Sequence, residues 1–407
     1  MKNIHSKNVT HNDSQIATII PISLSFAISV AGILTLAFLT TGCKSTGGAE
    51  GYSSSSNITA PERLSRSSNE ISVMTFNVEN LFDTVHNEGI DDFTYLPLAQ
   101  KNTLEAQESC KKNSNSFYRS ECFKKDWNDD VLKFKLSQVA QVITYIDGGK
   151  GPDNLIMAEV ENENVLNQLV KNHLSQLGYQ TISILKGPDT RGINTAFISK
   201  FPQVGKSILH IIPYQDADPV RLKSAQKSRG ILETVVKING QNVSFMAAHF
   251  PSQSNPTEWR KQAHEYMKDL MIEIQKKGGA VIAGGDLNTT EEEEKDFGYF
   301  SKILAQGGSV SHLVGCKLCK GTHNYKGGWS FLDVIAYSSN LSEAAGLTLI
   351  PDSIEVVRTP VNTKRNGTPL RFDEEKREGV SDHFPLYSRL KIVERNVPEK
   401  KSLQKRK

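Results

Sequence analysis

The sequence predicts an α/β protein whose ordered part is one continuous domain over residues 70–393. Three observations lead there. Apolar runs rich in Val, Ile and Phe recur at short intervals, and most stop at a carboxylate, an amide or an imidazole. Between them lie longer segments whose apolar residues return at helical spacing and end at glycine. The third is composition: 38% hydrophobic and 23% charged residues over 407 positions are ordinary globular values, enough for a sizeable core.

The first 42 residues stand apart from that core. Lys2 and Lys7 precede a run from Ser14 to Cys43 without a charge, rich in Ile, Leu, Ala and Val and ending Leu39-Thr40-Thr41-Gly42-Cys43. This is the pattern of an export signal. Its end resembles a bacterial lipoprotein signal, with Cys43 as the lipidated residue; Thr40 departs from the usual aliphatic residue. An uncleaved membrane anchor is the alternative, since ~20 apolar residues suffice to span a bilayer. Both readings place the remainder outside the cytoplasm, held to the cell envelope. Lys44, where an aspartate would signal inner-membrane retention, favours an outer membrane. Residues 43–69, with Gly47, Gly48, Gly51 and the run Ser53–Ser56, read as a flexible tether with a reach of roughly 30 Å. Without Lys2, Lys7 and Asp13 the chain has 46 basic and 44 acidic residues, a charge of +2. Any affinity for polyanions must therefore come from a local patch.

Four cysteines follow Cys43, namely Cys110, Cys122, Cys316 and Cys319. In an exported chain they read as two disulfides, with three possible pairings, of which the local ones are expected. The alternative is a zinc site on Cys316, Cys319 and the following His323.

The ordered part begins with a strand, Ile71–Phe76, that ends at Asn77 and Glu79. Residues 83–130 form a polar insertion too long for a plain connection. A helix follows through Leu132, Leu136, Val139, Val142, Ile143 and Ile146, and then a strand over Asp153–Val160 carrying Glu159 and Glu161. A helix over 162–177 stops at Gly178. Strands near 181–185 and 194–199 flank a turn containing Asp189 and Arg191. After the basic residues Arg221, Lys223, Lys227 and Arg229, strands Ile231–Ile238 and Val243–Phe250 form a hairpin across Asn239-Gly240, with His249 near its end. A helix over 257–277 leads to the run Ala280–Ala283, two glycines, Asp286 and Asn288. On extended backbone residues i and i+2 face the same way, so Asp286 and Asn288 are expected to point at one spot. Glu291–Glu294 read as a solvated, acidic helix start rather than metal ligands. A strand over Trp329–Ser338 carries Asp333, and Asp382-His383 precede a last strand. The basic tail, 394–407, is expected to be disordered.

Taken singly, each polar strand end has a bland structural explanation. Together they resemble a family. The motifs TFNVEN (75–80), AEVEN (158–162), DTRGINTAFIS (189–199), SRGILE (228–233), AAHF (247–250), GGDLN (284–288), WSFLDVI (329–335) and SDHFP (381–385) occur in the order seen in the endonuclease/exonuclease/phosphatase superfamily, which includes deoxyribonuclease I-like enzymes. The resemblance implies a four-layer α/β sandwich: two mostly antiparallel sheets packed face to face, helices outside, active site at one rim. It implies Mg²⁺, with Mn²⁺ as substitute, held by Glu159 with Asn77 and Asp382 nearby. His383 is implied as general base, oriented by Asp333. Asp286 would position the nucleophile, Asn288 and Arg229 would bind phosphate, and His249 would bind phosphate or protonate the leaving oxygen.

The substrate expected is nucleic acid, cut by activated water in a monomeric enzyme outside the cytoplasm. Basic residues at 221–229 and 317–326 favour this, as does the absence of a long apolar lipid-recognition segment within 70–393. The stretch Gly321–Ile335 also resembles that of secreted bacterial nucleases of the family. A lipid phosphodiesterase or phosphatase is the enzymatic alternative, and a non-catalytic surface-binding lipoprotein the other.

Overall fold

The computed structural model describes residues 64–394 apart from Lys317. The expected signal over 1–42, Cys43, the tether up to residue 63 and the tail from residue 395 lie outside the described residues. Among the described residues no helix is long and apolar enough to cross a membrane.

Fourteen strands are described: β1 (Glu70–Leu81), β2 (Asn154–Val160), β3 (Thr181–Ile184), β4 (Asn194–Ser199), β5 (Ile208–His210), β6 (Ile231–Ile238), β7 (Gln241–His249), β8 (Ala280–Asp286), β9 (Gly308–Val310), β10 (His323–Tyr325), β11 (Gly328–Ser330), β12 (Asp333–Ser338), β13 (Leu347–Val356) and β14 (Leu386–Ile392). Twelve build two six-stranded sheets, ordered β13-β14-β1-β2-β4-β3 and β5-β6-β7-β8-β12-β9. Each is antiparallel except for its central pair, β1–β2 in one and β7–β8 in the other. A parallel pair needs a crossover, and helices supply both. Helix Asp129–Thr144 lies between β1 and β2, and helix Thr257–Lys276 between β7 and β8.

Alternation along the strands divides the side chains into three apolar layers. In β1, Ile71 and Val73 face the second sheet while Met74, Phe76 and Val78 face helices Asp129–Thr144 and Glu163–His173. In β7, Val243, Phe245 and Ala247 enter the inter-sheet layer while Met246 and Ala248 pack on Trp259, Ala263 and Met267 of helix Thr257–Lys276. Each large aliphatic or aromatic side chain so buried contributes about 1.5–3 kcal/mol. The result is helix, sheet, sheet, helix: a four-layer sandwich.

The inward rows position the site. Ile71, Val73 and Thr75 lead to Asn77; Val243, Phe245 and Ala247 to His249; Ala280, Ile282 and Gly284 to Asp286; Tyr337 and Ile335 to Asp333. Period 2 therefore delivers four polar side chains to one end of the apolar layer. The glycines of β8 admit this. Gly285 has φ +133°, and a Cβ there would lie 1.9 Å from the Ala248 carbonyl oxygen.

The hairpin turn at Asn239-Gly240 forms as expected, with φ of 49° and 74° and Ile238 paired to Gln241. The insertion after residue 83 carries helices Leu104–Lys112 and Ser116–Lys124 over a small core of Phe93, Leu96, Ala106, Cys110 and Cys122. Cys110 is bonded to Cys122 and Cys316 to Cys319, with Cα separations of 5.5 and 5.3 Å, so the two cysteines offered to zinc are already paired. Two expectations change. The strand Trp329–Ser338 is divided, because Gly328–Ser330 turn away to pair with β10 and only Asp333–Ser338 join β8. The acidic run is not all solvated: Thr290 caps helix Glu291–Phe297, and Glu293 is buried against the guanidinium of Arg260. Strands β5, β9, β10 and β13 have no counterpart in the sequence reading: the first three have only three residues each, and β13 is interrupted by Pro351 and Asp352.

Candidate active site at the rim between the sheets

Asn77 stands at the centre. Its Nδ2 donates to Glu159 Oε1 at 3.1 Å and Asp286 Oδ2 at 2.9 Å, one residue from each sheet, while its Oδ1 accepts from the Glu79 amide. Placed so, it ties two carboxylates together, with its oxygen already engaged. Glu159 also accepts the Asn80 amide at 2.9 Å, and its side chain is 18% exposed. Alternation alone would send Glu159 toward the helices, since Ile156 faces inward. Register shifts in β1 and β2 and a left-handed φ of 64° turn it to the rim instead. Glu79, Asn80 and Asn288 share this conformation, at φ 51°, 54° and 50°. Backbone strain of order 1–3 kcal/mol per residue is thus gathered at one place, as at functional sites.

His383 faces this pair from the segment before β14. Its Nδ1 lies 2.6 Å from Asp333 Oδ2, leaving Nε2 at 3.8 Å from Asp286 Oδ2 and 3.9 Å from Asp382 Oδ1. Burial disfavours a charge on the ring, but Asp333, Asp286 and Asp382 outweigh it and hold the imidazole well above its usual pKa. His249 Nε2 lies 3.7 Å from Asp286 and 4.0 Å from Glu159. Burial, then Arg229, Arg191 and His383, push its pKa well below the ordinary value, so it stays neutral. Asp286 is pushed up to about 7, chiefly by burial. Among the described residues neither His249 Nδ1 nor Asp333 Oδ1 has a hydrogen-bond partner, though both are buried.

Asp286 and Asn288 do not share a direction as extended backbone would have it, because β8 ends at Asp286 and Asn288 is left-handed. The Asn288 amide N–H donates to Asp286 Oδ1, and its Nδ2 donates to the Phe250 carbonyl. Arg229 is buried and reaches the same carbonyl through Nη2, with Nη1 3.3 Å from Asp189. The more accessible cations are Arg191, paired with Asp189 and 56% exposed, and Arg371, 63% exposed and paired with Glu79. Glu79 also accepts the Asp382 amide at 3.0 Å. Burial first, then Asp382, pushes its pKa up to about 7. Arg371 and the part played by Glu79 escape a sequence reading, since Arg371 lies in an irregular loop 292 residues from its partner.

An α/β sandwich whose rim gathers carboxylates, amides and a His–Asp pair has the equipment of a hydrolase. The model of the endonuclease/exonuclease/phosphatase family matches residues 101–392, and the chain belongs to that family, whose members are hydrolases acting on phosphoesters. No curated protein matches the chain. Similar solved structures include a humanised D. rerio TDP2 with 14 mutations, 14% identical with a TM-score of 0.48 over 79% of this chain and 99% of that one. The mannosyl-6-phosphatase of Bacteroides thetaiotaomicron is 14% identical, TM-score 0.47, over 79% and 99%. An endonuclease/exonuclease/phosphatase from Beutenbergia cavernae is 12% identical, TM-score 0.46, over 80% and 72%.

Proposed function

We propose that the protein is a metal-dependent phosphodiesterase, exported and lipid-anchored through Cys43, that hydrolyses nucleic acid outside the cytoplasm. The observation that carries the hydrolytic reading is the His383–Asp333 pair, with its free Nε2 turned to Asp286. The residues fit a hard cation: Glu159 offers carboxylate oxygen at the accessible edge, and the Asp286 carboxylate is tied beside it by Asn77. Glu159 would be the principal ligand of Mg²⁺ or Mn²⁺, with Asn77 fixing its carboxylate and Asp382 adjoining. When bound, the ion polarises the phosphate and offsets its developing charge.

The chain's own groups do the rest. Asp333 accepts the Nδ1–H of His383 and turns Nε2 toward Asp286; once the carboxylates that favour the protonated ring are offset by a bound cation, the Nε2 lone pair is free to take a proton from water. Asp286, 3.8 Å from that nitrogen, orients the same water from its other side. Neutral His249 donates an N–H to a phosphate oxygen. Arg229 and Asn288 grip the Phe250 carbonyl and thereby fix the turn after His249, while Arg191 meets the substrate phosphate as a planar fork.

Purified protein incubated with supercoiled plasmid, linear DNA and RNA, with and without Mg²⁺, tests this. Cleavage that needs Mg²⁺ and disappears in Glu159→Gln is expected. Intact DNA and RNA would end the nuclease reading, and release of phosphocholine or inorganic phosphate from a lipid panel would replace it with the lipid one. Export is tested separately by fatty-acid labelling, which Cys43→Ala should abolish.

A further inference from the structure

His323 has no part in the chemistry above, and the cysteines that made it a zinc candidate are bonded to each other. The fold gives it other company. It sits on the β10–β11 hairpin, where its backbone bridges to that of His383, and the two rings lie 4.8 Å apart. One ligating atom each from His323, Asp382 and His383 lies within 4.8 Å of the others. His383 enters this group with its Nδ1 held by Asp333, the arrangement in which a carboxylate orients an imidazole toward a metal. Asp382 is held through its amide by Glu79.

Two imidazole nitrogens and one carboxylate oxygen, open to solvent on one side, suit a borderline-soft ion such as Zn²⁺ better than Mg²⁺, which takes oxygen and water. Bonds of about 2.0–2.2 Å place tetrahedral donors roughly 3.3 Å apart. The His383–Asp382 separation is 3.9 Å, and both His323 and Asp382 are only half-buried, so modest side-chain rotation closes the set.

We propose that His323, Asp382 and His383 form a second metal site, for a soft divalent ion such as Zn²⁺, whose occupation switches the hydrolase off. The inhibitory half rests on the reading of His383 as general base. A metal bonded to Nε2 consumes the lone pair that must accept the proton from water, and no proton transfer to that nitrogen is then possible. The binding half stands without that reading.

The test uses full-length protein, disulfides intact, with two readouts. In the first, Co²⁺ is added and the intense visible bands of a tetrahedral site are recorded, followed by displacement with Zn²⁺. Wild type and Glu159→Gln should both show the bands. His323→Gln and His323→Phe, the latter keeping a ring against His383, should lose them. In the second, Zn²⁺ is titrated into the Mg²⁺-supported reaction, each variant normalised to its own rate. Half-inhibition should require at least ~10-fold more Zn²⁺ in both His323 variants. Bands that persist without His323 overturn the site, and equal Zn²⁺ sensitivity overturns the switch. Should wild type hydrolyse nothing, the proposed function falls while the Co²⁺ readout still decides the site.

Discussion

Two buried histidines make the most informative contrast in the molecule. His383, at the rim between the sheets, is surrounded by carboxylates of Asp333, Asp286 and Asp382. His264, behind the second sheet on helix Thr257–Lys276, packs against the rings of Phe250, Tyr299 and Phe300, with Nε2 2.7 Å from Thr289 Oγ1. Burial disfavours charge on both. At His264 it dominates, with Glu293 and Arg260 pulling in opposite directions, and the pKa falls to about 3. At His383 the acidic neighbours reverse it. Loss of water therefore sets the stakes at each ring, and the neighbouring charges decide the outcome. One environment prepares a proton acceptor, and the other builds a support beneath the segment that follows Asp286.

The contrast is sharpest in activity. Replacing His383 by Ala should lower Mg²⁺-supported hydrolysis by about 10³-fold or more per folded molecule, in line with loss of a positioned base. A variant keeping a tenth of the wild-type rate would remove His383 from that role. Replacing His264 by Ala should act on the other side of the comparison. Its cavity and lost hydrogen bond should cost roughly 2–4 kcal/mol in urea unfolding, with the rate within tenfold of wild type. If both variants lost activity equally, the division between chemistry and support would collapse.

The smallest effect lies in pH. In the unfolded chain His264 titrates near its ordinary 6.5, and in the folded protein near 3. Between these values the unfolded state holds a proton that the native state lacks. The stability contributed by the neutral, buried ring is therefore complete above about 6.5 and is lost as pH falls toward 3, at up to about 1.4 kcal/mol per pH unit. His264→Phe, which cannot titrate, should flatten the acid limb by that slope when urea midpoints are compared across pH without divalent ions. Parallel curves for the two proteins would show that His264 does not titrate as the buried environment requires.

Much of the fold and part of the site could be read from local pattern. The rows ending at Asn77, His249, Asp286 and Asp333 follow from period 2 in four apolar strands, and the Asn239-Gly240 turn from its two residues. Glu159 was legible as a motif residue, but its direction was not, because a register shift in two paired strands decides it. Asn288, which the i, i+2 spacing points to the same spot as Asp286, instead turns back to the Phe250 carbonyl. Arg371, the partners of Glu79 and the company of His323 carry no local signal.

The amino-acid sequence by itself determined the long central strands, their apolar faces and the polar residues at their ends, since alternation and turn chemistry act over a few neighbouring residues. Tertiary structure alone decided charge states, directions and partners. Ser381 Oγ donates to the Asn77 carbonyl across 304 residues, and Asp286 meets Asn77 across 209. Coulombic and hydrogen-bond energies depend on distance in space and on exclusion of water, and both are set when the two sheets close.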